Sequence, residues 1–98
     1  MLTIINQIFE LEQKLLTKSE VVAARNFKRL YIELEVLGYQ VINPISRIYK
    51  ETDSDIDATL LGNYGKEMTI TRVMKPAIYK KLENGQLELL QKAIVVVE

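Results

Sequence analysis

The chain contains no cysteine and no histidine among its 98 residues. Without cysteine it has neither a disulfide framework nor a thiolate metal site. Without histidine it lacks the most common general base, the most common metal ligand and any relay in which histidine activates serine or cysteine. We therefore predict that the chain is not an enzyme, that it carries no cofactor and that it acts by contact with other proteins.

A charge surplus and a long apolar run are also absent. Lys+Arg and Asp+Glu both number 13, so the formal net charge is zero. Nucleic-acid binding requires a clustered positive surplus, and we expect no nucleic-acid partner. No apolar run reaches the roughly 18 residues of a membrane span, and Asn6, Gln7 and Glu10 interrupt the first apolar stretch, unlike a signal peptide. These features predict a cytoplasmic protein without a membrane segment.

The composition that is present is that of one globular domain. Hydrophobic residues make up 48% and charged residues 27% of the chain, which is a folded profile. A core of this size is marginal alone and gains from a partner subunit. The patterns below predict an α+β fold, with a helical hairpin in residues 1–38 and a small, mostly antiparallel β domain in residues 39–98.

The first helix is predicted from a repeat of apolar residues. Ile4, Ile8, Leu11 and Leu15 follow one another at spacings of four, three and four, which places them on one helix face. Further apolar residues widen this face: Leu2, Ile5, Phe9 and Leu16. The stripe is broader than packing against one neighbour requires. Either both halves face one core, or one half packs inside the chain and the other packs on a second chain.

A second helix follows a break at residues 17–19. Ser19 is a suitable N-cap, and Glu20 places a negative charge in the first turn. Gly38 follows the helix as a left-handed stop. We predict helices at about 2–17 and 20–37, although one long helix stays possible because no Gly or Pro enforces a turn. The apolar residues of the second helix are Phe27, Leu30, Tyr31, Leu34 and Leu37.

Short β-type runs follow Gly38. The chain alternates such runs with turn residues, which indicates a small sheet domain. Asn84-Gly85 is the strongest hairpin signal, because a tight primed turn needs positive φ at both central residues. Ile94–Val97 is continuously apolar, so it lies in a sheet centre or faces a partner. The predicted strands are Tyr39–Ile42, Ile56–Leu61, a run through Met68, Ile70 and Val73 that Pro76 ends, Ile78–Glu83 and Gln86–Val97.

An acidic string at residues 53–57 is the chain's one candidate for metal chemistry. As a calcium loop it fails, because Ala58 stands where glycine is needed and Tyr64 where the bidentate glutamate should be. The string also resembles the metal-binding core of the minimal nucleotidyltransferases, which implies Asp55 and Asp57 as magnesium ligands and Ser46 as a phosphate contact.

The sequence departs from the nucleotidyltransferase pattern in three ways. Ile45 replaces the glycine before the serine, the gap from Ser46 to Asp55 is short, and no third aspartate follows Asp57. The plain interpretation of the string is a solvated acidic turn that leads into a strand.

The order of segments along the whole chain resembles the GrpE family, the nucleotide exchange factors of DnaK-type chaperones. Residues 2–10 resemble the family's first bundle helix, and residues 27–42 resemble the second bundle helix, which runs through Leu-Gly into the first strand. Asp57-Ala58 matches the family's Glu/Gln-Ala pair. Residues 69–75 resemble its Thr-Val-x-Glu-Val-Leu-Gln strand, and residues 90–97 its closing Leu-Arg-Pro-Ala-Met-Val-Lys-Val.

This sequence departs from the family pattern at four positions. Gln91 and Lys92 replace the closing Arg-Pro of the family. Ile56 replaces a histidine, and Ala77 replaces a glycine. We expect a divergent or truncated member that lacks the long N-terminal coiled coil. The resemblance leaves three possibilities open: a true exchange factor, a GrpE-like protein that serves a divergent chaperone, and a dimerisation module without exchange activity.

The resemblance implies a homodimer whose helices pair into a four-helix bundle. The β domain would bind the nucleotide-binding domain of the chaperone and promote ADP release without chemistry of its own. The implied partner-binding residues are Gly38, Tyr39, Asp57, Ala58, Gln91 and Ala93. The implied dimer interface comprises Ile4, Ile5, Ile8, Phe9, Leu11, Leu15, Phe27, Leu30, Tyr31 and Leu34.

Overall fold

The computed structural model describes residues 1–17, 23–62 and 67–98. Two helices precede six strands, which confirms the predicted α+β fold with N-terminal helices. The described parts contain no helix with the length and apolarity needed to cross a membrane. The elements are α1 (Leu2–Thr17), α2 (Ala24–Val36), β1 (Tyr39–Ile42), β2 (Ile56–Leu60), β3 (Ile70–Lys75), β4 (Ala77–Lys81), β5 (Leu87–Gln91) and β6 (Ala93–Val97).

The two helices lie side by side in antiparallel directions. Ile5 of α1 and Leu34 of α2 share one buried cluster. Further along α1, the Tyr31 hydroxyl donates a hydrogen bond to Glu12 Oε1 at 2.9 Å. These contacts exclude one continuous helix and confirm the hairpin. The predicted Ser19 cap and the start of the second helix at residue 20 lie outside the described residues.

Gly38 turns the chain from α2 into β1. Its φ of +93° is left-handed, as the sequence predicts for a helix stop. The Lys80 Nζ donates to the carbonyl oxygen of Leu37 at 2.8 Å and lies 4.2 Å from the centroid of the Tyr39 ring. A cation at the C-terminal end of a helix satisfies its last carbonyls and complements the helix dipole. One lysine therefore joins the end of α2 to the start of the sheet.

Six strands form two three-stranded sheets. The first has the order β1-β4-β5 and is antiparallel. The second has the order β2-β6-β3, in which β6 runs parallel to β2 and antiparallel to β3. The central position of β6 confirms the prediction for Ile94–Val97. The single run predicted at Gln86–Val97 is wrong, because the chain breaks at Lys92 and β5 and β6 belong to different sheets.

The β4–β5 hairpin forms where Asn84-Gly85 predicts it, but its turn differs. The Gly85 amide donates to the Leu82 oxygen at 2.9 Å, and the Leu82 amide donates to the Gln86 oxygen at 2.8 Å. Gly85 has φ of +86°, whereas Asn84 is not among the described residues with positive φ. This pattern is a three-residue loop that closes on a glycine bulge. A primed turn would require positive φ at Asn84 as well.

Two hydrophobic cores meet on opposite sides of β4. Ala77 packs with the buried residues of the second sheet, which include Val95 and Val97. Ile78, the next residue, packs with Ile5 and Leu34 of the helices. Successive residues of a strand point to opposite faces, so β4 divides the core between helices and second sheet.

Replacing Gly38 by alanine should destabilise the fold more than the same change at Gly85. Both glycines have positive φ, which costs alanine about 1–2 kcal/mol. A Cβ at Gly38 would also lie 3.2 Å from Lys80 Nζ, whereas a Cβ at Gly85 meets nothing within 4 Å. Displacing the lysine from Leu37 should add about 1 kcal/mol to the loss at Gly38. Urea unfolding of Gly38→Ala and Gly85→Ala measures the difference, and equal losses would contradict the role given to Lys80.

Candidate protein-interaction surfaces

The broad apolar stripe of α1 divides into an inner and an outer half. Ile5 and Phe9 are buried in the chain's own core. On the outer half, Ile4 is 57% and Leu11 is 53% exposed, and Ile8 and Leu15 are half-buried. We call Ile4, Ile8, Leu11 and Leu15 the outer seam. Its spacing of four, three and four is that of the contact positions in a coiled coil. Two of its residues, Ile4 and Leu11, keep about half of their surface in solvent.

The second helix divides in a similar way. Phe27 and Leu34 are buried, whereas Leu30 is exposed. Tyr31 is half-buried and bonded to Glu12, and burial together with that carboxylate raises the pKa of the tyrosine. Three further apolar side chains are exposed, two on α2 and one directly after it: Ile32, Val36 and Leu37.

The predicted dimer residues thus fall into two groups. Four of them are enclosed by their own chain: Ile5, Phe9, Phe27 and Leu34. These four offer little surface to a second chain. The other six keep exposed surface: Ile4, Ile8, Leu11, Leu15, Leu30 and Tyr31. Pairing of two chains through these residues stays a prediction.

Gln91, which is predicted as a partner contact, anchors α1 to the first sheet, and its contact with a partner stays a prediction. Its amide exchanges two hydrogen bonds with the Asn6 amide, at 2.8 and 2.9 Å. Its nitrogen also donates to the Pro76 carbonyl oxygen at 2.9 Å. Ala93 has no exposed surface, and its amide donates to the Asp55 oxygen at 2.8 Å. The Ala93 side chain therefore belongs to the core, and its predicted contact with a partner stays a prediction.

The other predicted contact residues lie on two different sheets. Gly38 and Tyr39 begin β1 of the first sheet, where the Tyr39 ring is partly covered by Lys80. Asp57 and Ala58 lie on β2 of the second sheet. Asp57 is exposed, and its carboxylate makes no hydrogen bond or ion pair with the described residues, whereas Ala58 is half-buried. Asp57 is therefore the predicted contact whose functional group is free to bind a partner.

The second sheet turns one mixed face away from the core. Ile94 and Val96 lie at its centre and are half-buried. Across the sheet, Asp57 and Lys75 flank Ile94, and Thr59 and Arg72 flank Val96. An apolar centre with a charged rim is the usual anatomy of a protein interface. We call these residues the outer face of the second sheet: Asp57, Thr59, Arg72, Lys75, Ile94 and Val96.

Only Asp57 of this outer face is among the residues predicted from the sequence. In Ile94–Val97 every side chain is apolar, so the alternation that distinguishes the two faces of a strand is invisible in the sequence. The charged neighbours on β2 and β3 carried the missing signal, because Asp57 and Arg72 are exposed while the buried Ile56 and Ile70 face the core.

The aspartates of the acidic string have separate surroundings. Asp53 accepts a hydrogen bond from the Lys50 amide at 3.1 Å, which closes its own turn. Asp55 accepts a hydrogen bond from the Tyr79 hydroxyl at 2.9 Å. Burial, followed by this bond, raises the pKa of Tyr79, while Arg47 acts in the opposite direction. Within residues 1–17, 23–62 and 67–98 no three acidic side chains converge as a metal site.

Ser46, the predicted phosphate contact, has a structural role on β3. Among the described non-glycine residues, Ser46 is the one with positive φ, at +68°. Its amide donates to the Ile70 oxygen at 2.9 Å, which attaches the loop to the second sheet. The backbone of Ser46 is thus fixed by the sheet, and its side chain is exposed.

Comparison with protein-family models, with curated proteins and with solved structures finds no match for this chain. The residues themselves are the remaining indication of what the chain does. Two of their features point to binding: the partly exposed outer seam of α1 and the outer face of the second sheet.

The Asn6–Gln91 amide pair yields a test of the α1 anchor. Asn6→Leu and Gln91→Leu should each destabilise the fold by about 1–2 kcal/mol, because each leaves the other amide without its partner. The double variant should lose less than the sum of the two, since both partners are then apolar. Chemical denaturation of the four proteins gives the coupling energy. Strictly additive losses would show that the pair contributes no mutual stabilisation.

Proposed function

We propose that this chain is a GrpE-like cochaperone, which binds the nucleotide-binding domain of a DnaK-type chaperone as a homodimer and promotes release of ADP. The segments that resemble the family agree with the elements they would need to form. Residues 2–10 lie in α1, residues 27–42 run from α2 through Gly38 into β1, and β3 covers most of residues 69–75. Residues 90–97 contain the end of β5 and all of β6.

The observation that carries this proposal is the outer seam. Ile5 and Phe9 serve the chain's own core, whereas Ile4 and Leu11 keep about half of their surface exposed. Apolar side chains repeated at coiled-coil spacing gain most by packing against another helix. Two helical hairpins that pair through such seams form a four-helix bundle with twofold symmetry. The exposed Leu30 on α2 extends the apolar surface that the bundle would cover.

A dimer of this kind leaves the β unit free to bind a second protein. In the proposed complex the outer face of the second sheet contacts the chaperone, with Ile94 and Val96 at the centre of the contact and Asp57 at its rim. Asp57 is the residue on this face that also belongs to the family-like Asp57-Ala58 pair. Its carboxylate is exposed and lacks a charged partner among the described residues, so a basic group of the chaperone can pair with it.

The proposed mechanism requires no bond making or breaking in this chain. A protein that binds the open, nucleotide-free form of the chaperone more tightly than the closed form shifts the population toward the open form. ADP then leaves because its site is no longer closed. The coupling is reciprocal, so ADP must weaken the binding of the cochaperone by the same factor by which the cochaperone weakens ADP binding.

Leu11→Asp should dissociate the dimer. Burying a charge in the proposed seam costs at least the lost apolar contact in both chains, about 3 kcal/mol in total, which raises the dimer dissociation constant at least about a hundredfold. Ile48→Asp is the matched control, because Ile48 of the β unit is as exposed as Leu11, at 50% against 53%. Sedimentation equilibrium at micromolar concentration measures both variants. A monomeric parent protein, or equal effects of the two substitutions, would remove the support that the seam gives to this proposal.

Asp57→Lys should slow nucleotide exchange. If Asp57 pairs with a basic group of the chaperone, reversing its charge replaces attraction by repulsion and should lower the exchange rate at subsaturating cochaperone about tenfold. Glu51→Lys is the matched charge reversal on an exposed residue of the preceding turn. Stopped-flow release of fluorescent ADP from the DnaK-type chaperone of the same organism measures the rate.

The parent protein must first accelerate this release for the comparison to apply. No acceleration by a dimeric parent would leave a dimerisation module without exchange activity. Transfer of label from a nucleoside triphosphate that requires magnesium and is lost in Asp55→Ala would instead support the nucleotidyltransferase hypothesis. Equal exchange rates for Asp57→Lys and Glu51→Lys would show that Asp57 does not contact the chaperone.

A further inference from the structure

Strand β5 is an edge strand, and among the described residues its part at 87–90 pairs with no further strand on the side away from β4. Its side chains Leu87, Leu89 and Leu90 are 51%, 36% and 37% exposed, and Glu88 between them is exposed as well. Natural edge strands usually carry charges or prolines, or lie under other segments, because an open apolar edge pairs with further strands. The start of β3 illustrates such cover, since Ser46 and Ile48 pair with it. No described segment covers β5 in this way.

The hydrogen bonds of the hairpin fix which backbone groups of β5 point outward. Leu82 and Gln86 are hydrogen-bonded at the turn, and the register then pairs Lys81 with Leu87, Lys80 with Glu88 and Tyr79 with Leu89. Bonded and non-bonded pairs alternate in an antiparallel ladder, so Glu88 bonds to β4. The amide and carbonyl groups of Leu87 and Leu89 therefore point to the open edge. The Lys81 amide follows the same alternation, because it points away from β5 and donates to the carbonyl oxygen of Gly38 on the other side of β4.

We propose that β5 binds an extended segment of a partner protein by strand addition. The backbone of Leu87 and Leu89 would supply the hydrogen bonds, and their side chains would pack on apolar residues of the added strand. Glu88 lies on the other face between them, so a basic residue opposite it completes an opposite-charge cross-strand pair. The segment that fits is thus apolar–basic–apolar in an extended conformation.

A second copy of this chain fits the same edge poorly. In the antiparallel register that places Leu87 opposite Leu89 of the second copy, Glu88 lies opposite Glu88, and like charges directly opposite are destabilising. The register shift between Ile78 and Tyr79 also changes the phase of β5 near Gln91, which prevents a longer self-pairing. The contact is too short for a stable dimer by itself, since specific interfaces bury about 1,000 Å² or more.

This site does not depend on the proposed cochaperone function, because β5 belongs to the first sheet and the outer face that would contact the chaperone belongs to the second. The probe is the synthetic peptide acetyl-Thr-Val-Lys-Val-Thr-amide, in which the two valines lie opposite Leu87 and Leu89 and the lysine opposite Glu88. We expect it to bind weakly and to shift the amide resonances of Leu87 and Leu89 in a titration followed by NMR.

Two methylated isomers of this peptide test the backbone contact. N-methylation of both valines removes the donors that face β5 and should weaken binding about tenfold or more. N-methylation of the lysine and the second threonine alters amides that face away from β5 and should change binding much less. Equal affinities of the two isomers would overturn strand addition, since apolar adhesion alone does not distinguish them.

A charge exchange tests the occupant. Glu88→Lys, at an exposed position, should weaken binding of the lysine peptide and strengthen binding of acetyl-Thr-Val-Glu-Val-Thr-amide, each by about threefold. An unchanged preference would overturn the assignment of a basic residue opposite Glu88. If the Leu87 and Leu89 resonances instead change with protein concentration in the absence of peptide, a second copy occupies the edge and the proposed occupant is wrong.

Discussion

The structure depends on two neighbouring residues of one strand that face opposite ways. Ala77 contributes to the core beneath the second sheet, and Ile78 contributes to the core beneath the helices. Each core is small, and a small core gives only marginal stability on its own. Strand β4 makes them one cooperative unit, because it cannot leave one core without opening the other. The two candidate binding surfaces, on α1 and on the second sheet, are held in a fixed relation by this strand.

Polar contacts then set how the helices lie on that strand. The Asn6–Gln91 amide pair fixes the first turns of α1, and Lys80 fixes the end of α2. Both contacts join residues far apart in the sequence, so they order the helices relative to the sheet and contribute little to helix formation itself. As a consequence, α1 presents Ile5 inward and Ile4 outward. A rotation of the helix by a quarter turn would exchange the roles of its two apolar halves.

The sequence predicted the elements well and their partners poorly. Alternating apolar residues, Gly38 and Asn84-Gly85 are local signals, and the helices, β1 and the hairpin follow from them. The break at Lys92 gave no such signal, since an apolar run continues on both sides of it and only the tertiary structure assigns the halves to different sheets. The hydrogen bonds of Gln91 gave no local signal either, because its partner Asn6 is at the other end of the chain. The outer seam was present in the spacing of Ile4, Ile8, Leu11 and Leu15, but its exposure became visible only when Ile5 and Phe9 were found in the core.

The place of β6 between β2 and β3 has a consequence for how the protein is made. A ribosome delivers β2 first and β3 second, and both wait for the strand that lies between them. Until β6 has emerged, Ile56 and Ile70 have no common neighbour, and their apolar surfaces face solvent or a chaperone that holds the nascent chain. Parallel pairing of β2 with a strand so distant along the chain also requires closure of a long loop, which slows folding. The second sheet is therefore completed late, after the helices and the β4–β5 hairpin have had time to form.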